Sequence, residues 1–218
     1  MIELKYKNWK EISINVFQKL QNLNLNRSSD IIDEIDDNVK ILSILCDVDE
    51  DTIADLEIND YKRLVSQCAF LNEMPKVQIK DEYWINDKLY QVQYGVQNMT
   101  MAQYIDYQTY LKDSSKYTKE IVSCFVIPKG KKYGEDYNLN ETIEDIGNYF
   151  SIVDALSVCF FFTMLFRSLT TATLGCLVKK MKRGKKKMNK EQQAQVQRAI
   201  DELNKVIHLV KNGDGFTG

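Results

Sequence analysis

The stretch SIVDALSVCFFFTMLFRSLTTATLGCLV, residues 151 to 178, constrains this chain more than any other, because apolar side chains recur along nearly all of it and must be covered by something. As one helix it is long enough to cross a bilayer, which takes about 20 apolar residues. Asp154 near its start and Arg167 near its centre oppose insertion. An arginine at the middle of a span costs on the order of 3 kcal/mol. Ser157, Ser168, Thr170, Thr171 and Thr173 further dilute its apolar character. The stretch therefore predicts a long helix, about residues 152–178, covered by protein rather than lipid. The cluster KKMKRGKKKMNK that follows keeps a membrane contact as an alternative, since Lys and Arg flank spans on their cytosolic side.

The rest of the sequence also favours helix. With 9 Gly and 2 Pro in 218 residues, turn-formers are too few for a many-turned β-sandwich, and a mainly α, multi-helix fold is expected. Ile14, Phe17 and Leu20 recur at helical spacing after Ser13; Ile32, Ile35, Val39, Leu42 and Leu45 form a second apolar face; Leu64, Val65 and Cys68 mark a third segment after Asn59. Asp47, Asp49, Glu50, Asp51 and Asp55 invite a calcium loop, but counting from Asp47 puts Thr52 where an EF-hand needs Gly and Ile58 where it needs Glu. Carboxylates at helix starts, favoured by the helix dipole, explain them better. After Pro75 the period changes to alternation, with Val77, Ile79, Trp84, Tyr90 and Val92 around the turn candidate Asn86-Asp87. This predicts one small β-hairpin, about residues 77–94. Thr100 then caps another helix, a short one runs from Tyr117, GKKYGEDY makes a turn-rich connection, and Asn140 starts the helix before the long apolar one.

Charge divides the chain more sharply than its net value of −2 suggests. Residues 1–178 carry 18 basic and 27 acidic groups, while residues 179–190 carry eight bases and no acid: Lys179, Lys180, Lys182, Arg183, Lys185, Lys186, Lys187 and Lys190. An acidic body of net −9 and a patch of +8 can pair with each other, with a neighbouring subunit or with a polyanion. The expected organisation is an acidic helical body over 1–178, a basic linker over 179–190 and a C-terminal amphipathic helix over 191–212. On that last helix Val196, Ile200, Leu203, Ile207 and Val210 recur at intervals of 4, 3, 4 and 3, the stripe expected to dock on another helix, within the chain or on a partner. The basic residues around the linker are the expected electrostatic contact.

No residue set fits a catalytic template. His208 is the single histidine, which leaves no His-carboxylate triad and disfavours zinc, so neither a catalytic residue nor a metal or other cofactor is expected. Cys46, Cys68, Cys124, Cys159 and Cys176 are odd in number and widely spaced, with no CxxC pair, and predict free thiols in a reducing compartment. The start MIELKYKNWK shows no signal-peptide pattern, so a cytoplasmic location is expected.

Several phrases, taken in order, carry a resemblance: YKNWKEISINVFQKL, VKILSILCDVDEDTIADLEINDYKRL, the hairpin with YWINDKLYQV, NMTMAQYIDYQTYL, and VSCFVIPKGKKYGEDY ahead of the apolar helix with its FFF. Over roughly residues 6–165 the chain resembles tail-assembly-chaperone-like and virion-associated proteins of tailed bacteriophages of gut bacteria. That resemblance implies a non-enzymatic structural or assembly role through contacts with other phage structural or tail proteins, in the host cytoplasm or within the virion, with homo-oligomers possible. It carries over no binding residues. The alternative is a peripheral membrane or nucleic-acid-associated protein using residues 179–190.

Overall fold

The computed structural model describes residues 2–23, 30–95, 98–185 and 190–212. These form nine α-helices and one three-stranded antiparallel sheet, the mainly α fold with a small hairpin and a long apolar helix that the periodicities predict. The chain divides into two compact units, Met1–Cys159 and Phe160–Gly218, and the division falls inside the longest helix rather than after residue 178.

In the first unit, α1 (Ile14–Gln21) starts where the Ser13 hydroxyl accepts from the Val16 N–H, and α2 (Ile31–Cys46) starts on the Asp30 carboxylate. The acidic run of residues 47–55 makes helix ends: Asp47 closes α2 in the left-handed conformation, and Asp49 opens α3 (Glu50–Ala54) by accepting from the Thr52 N–H at 2.7 Å. Helix α4 (Ile58–Gln67) begins at Ile58, one residue before the Asn59 after which the sequence placed this segment. Leu42, Leu45, Ile53 and Leu64 bury the inner faces of α2, α3 and α4.

The hairpin is shorter than its alternating pattern. Strands β1 (Glu82–Ile85) and β2 (Lys88–Val92) pair with Ile85 opposite Lys88, leaving the two-residue turn Asn86-Asp87, both at positive φ as a type I′ turn requires. Residues 77–80 run into β1 without strand pairing, and the Asp81 carbonyl accepts from the Val92 N–H at 2.9 Å. A third strand, β3 (Val126–Pro128), adds to β2 in a register that sets Val92 opposite Val126. Tyr83, Ile85, Tyr90 and Val92 point into the core, with the Tyr83 ring edge-on to Phe150 at 4.8 Å. Helix α5 (Met101–Tyr110) opens with a full capping box from Thr100 and Gln103. Helices α6 (Thr118–Ser123) and α7 (Leu139–Tyr149) follow, the latter capped by Asn138 rather than Asn140.

Helix α8 (Ile152–Lys185) is tied to the body at its first turn, where the Ile152 N–H donates to the Ile12 carbonyl at 2.8 Å. Asp154, whose charge the apolar stretch had to accommodate, accepts from the Ser151 hydroxyl at 2.8 Å and pairs with Lys80 at 3.3 Å. The Arg167 side chain lies outside the described residues.

The second unit holds the remainder of α8 and α9 (Lys190–Asn212). The basic residues Lys179–Lys185 continue α8 as helix, and residues 186–189 of the expected linker lie outside the described residues. The Lys185 ammonium donates to the Gln197 side chain at 2.7 Å. Ile200 is 1% exposed and Val178 is also buried. Val196, Leu203 and Ile207 are half-buried and share a face of α9 with Ile200. The Val210 side chain lies outside the described residues.

Candidate functional site

Two helical stripes face each other across an open groove in the first unit. Ile31, Ile35 and Val39 recur every four residues on α2, and Ile58, Tyr61 and Val65 recur at intervals of three and four on α4. With Ile53, Ala54 and Leu56 between them they line a depression of about 650 Å³. Several of these side chains are far from buried: Ile31 is 73% exposed, Ile35 47% and Ile58 66%, and Ile32 beside them on α2 is 76% exposed. The sequence places Ile32 and Ile35 on the same inner face as Leu42 and Leu45. The structure buries only the C-terminal part of that face and leaves the N-terminal turns of α2 open.

The groove is rimmed by acid. Between residues 30 and 67 there are twelve Asp and Glu and three bases, Lys40, Arg63 and Lys62, the last of which lines the groove. Glu34 lines the groove itself, and Asp55 and Glu57 stand exposed in the connection that carries Leu56 between α3 and α4. Acids such as Asp33, Glu34, Asp36 and Asp37 belong to otherwise polar faces on the sequence alone, but in the fold Glu34 adjoins apolar surface. The Tyr61 hydroxyl is buried with no hydrogen-bond partner among the described residues, and burial pushes its pKa up. Asn38 draws it slightly the other way without reaching hydrogen-bond geometry.

The basic end of α8 is the second surface. Lys179, Lys180, Lys182 and Arg183 are exposed, as is Lys190 at the start of α9, while Lys185 is half-buried through its bond to Gln197. Lys186 and Lys187 lie outside the described residues. On the same helical end Leu177 is exposed and Met181, four residues on, is half-buried. The fold thus gathers the predicted basic residues Lys179, Lys180, Lys182 and Arg183 on one helical segment. Of the predicted docking stripe, Ile200 is buried and Val196, Leu203 and Ile207 are half-buried.

Helix α8 is long and apolar enough by composition to cross a membrane, its most apolar window having a mean hydropathy of 1.7 with 38% of that window buried. Ile152, Val153, Ala155, Val158 and Phe162 are buried in the protein, so cover by protein extends over the first third of the helix, while Phe160, Met164 and Leu177 are exposed. From Thr163 to Val178 the helix rises only about 24 Å. That is short of the roughly 30 Å of a hydrocarbon core.

Elsewhere the polar side chains hold structure together. Asp145 is buried and accepts from the Asn86 amide at 2.8 Å, the Lys88 ammonium at 3.0 Å and the Tyr90 hydroxyl at 3.3 Å, tying the hairpin to α7. Bonds to Glu141 first, then Asp145, raise the Lys88 pKa. Tyr133 donates to Asp106 at 3.0 Å and accepts weakly from the Cys124 thiol. Burial pushes the Cys124 and Cys159 thiols up to about 12, so both stay protonated at neutral pH and are poor nucleophiles. His208 is exposed on α9. Among the described residues no group of three or more His, Cys, Asp or Glu is placed to hold a metal ion. No protein-family model, no curated protein and no solved structure matches the chain.

Proposed function

We propose that this chain is a non-enzymatic bacteriophage structural or assembly protein that works through protein-protein contacts. The observation that carries the reading is the groove between α2 and α4, where Ile31, Ile35 and Ile58 stand open to solvent on a folded body. Contiguous exposed apolar surface of this kind marks an interaction site. Its concave form between two helices suits the apolar face of a helix better than a flat lipid surface. The phage setting rests on the resemblance of residues 6–165.

In cells producing phage particles, the tagged full chain should sediment with particles or their precursors on density gradients. A chain that stays in the free-protein fractions throughout assembly contradicts the proposal. A second reading, peripheral association with a membrane or nucleic acid, is favoured by the exposed Lys179, Lys180, Lys182 and Arg183 on one helical end. It predicts salt-sensitive retention of the chain on anionic vesicles or duplex DNA.

A further inference from the structure

We propose that the acid-rimmed groove of α2 and α4 takes the basic end of α8, residues 177–185, from a second copy of this chain. The proposal rests on the reading of the chain as an assembly protein and names the partner of its groove.

Chemistry selects the occupant. An apolar groove lined by Glu34 and Lys62, with Asp55 and Glu57 exposed in the connection beside it, favours a helix that offers apolar side chains about one turn apart and positive charge beside them. The end of α8 has that form: Leu177 and Met181 stand four residues apart, and residues 179–185 carry five bases and no acid. It is already helical, so docking orders little new backbone. Residues 30–67, which hold α2, α3 and α4, carry by contrast twelve acids against three bases. Both surfaces belong to every copy, so a pair of chains brings each basic end to an acidic groove and reduces like-charge repulsion within each copy. The contact joins unlike surfaces, so it builds either a reciprocal dimer or a longer array.

The test uses the full chain in analytical ultracentrifugation at low and high salt, with two charge-reversed variants. One carries Glu34→Lys, Asp55→Lys and Glu57→Lys; the other carries Lys179→Glu, Lys182→Glu and Arg183→Glu. All six positions are exposed, and matching circular dichroism checks that each variant folds. The wild type should self-associate and weaken as salt rises. Each variant alone should lose association by at least about tenfold, and an equimolar mixture of the two should regain it, because every groove then meets a helix of opposite charge.

A wild type that is monomeric at all concentrations overturns the proposal, as does docking of the basic end within its own chain, which also leaves a monomer. Rim reversal without effect, or a mixture that fails to associate, overturns it too. If the basic-end variant loses only its binding to duplex DNA or anionic vesicles while self-association persists, the basic end serves a polyanion and the proposal falls. A monomer that still sediments with phage particles overturns this inference and leaves the proposed function standing. Charge-dependent self-association by a chain that never joins particles does the reverse.

Discussion

Replacing Ile58 with serine separates stability from assembly more cleanly than any other change. Full burial of an isoleucine is worth about 1.5–3 kcal/mol. Ile58 is 66% exposed, so only about a third of that is at stake in the folded chain, roughly 0.5–1 kcal/mol. Ile53, which floors the same groove, is fully buried, and Ile53→Ala should cost about 2–5 kcal/mol through lost burial and the cavity left behind. Urea denaturation followed by circular dichroism, run below the concentration at which copies associate, measures both. Sedimentation of the same samples at higher concentration should show Ile58→Ser weakened in self-association while Ile53→Ala, where folded, is not. If Ile58→Ser destabilises the isolated chain as much as Ile53→Ala does, Ile58 is core in solution and the argument that the groove is open surface fails.

Asp87→Gly should stabilise the chain by about 0.5–1 kcal/mol, since Asp87 sits at φ 58° in the hairpin turn and glycine adopts that conformation without steric cost; a lower midpoint in urea contradicts the turn. Asp145→Asn should destabilise by about 1–3 kcal/mol, because the carboxylate that accepts from Asn86 and Tyr90 is buried, and thermal melts showing no loss would refute its role as the tie between hairpin and α7. Glu120 has a buried, unpartnered carboxylate oxygen, and burial raises its pKa above the usual glutamate value. The folded chain therefore holds that proton more tightly than the unfolded chain, so the group's contribution is fully present below the ordinary glutamate pKa and is lost as pH rises through the raised folded value. Glu120→Gln should accordingly be more stable than the wild type at neutral pH and lose that advantage below about pH 4; an equal difference at both ends of a pH series of melts contradicts this.

Much of the fold was legible because its local signals agree with its packing. Ser13 and Thr100 each have a side chain suited to capping and an apolar period behind it, and both cap helices. Asn86-Asp87 is a turn pair that tolerates positive φ between alternating strands. The strand β3 was not legible, since Val126-Ile127-Pro128 is three residues long and becomes a strand only by pairing with β2. The basic run looked like a linker because charge dominates its composition, yet lysine and arginine are good helix formers and α8 continues as far as Lys185. The groove was hidden for a different reason. Periodicity shows that Ile32, Ile35, Leu42 and Leu45 share a helix face, but which of them has a neighbour depends on where α3 and α4 cross α2. The usable signal was the set of acids Asp33, Glu34, Asp36 and Asp37 interleaved with Ile31, Ile32 and Ile35, a mixture unlike a buried helix end.

The central claim is that the groove and the basic end of α8 meet between copies, and photo-crosslinking tests it at residue level. A photoreactive amino acid placed at Ile58 in unlabelled chain, mixed with isotopically labelled wild type and irradiated at low salt, yields crosslinked peptides whose masses report both the partner segment and its copy of origin. The account predicts crosslinks from position 58 to residues 177–185 of the labelled copy that disappear at high salt. Crosslinks confined to the unlabelled chain's own peptides, or to other segments of the labelled copy, would contradict it.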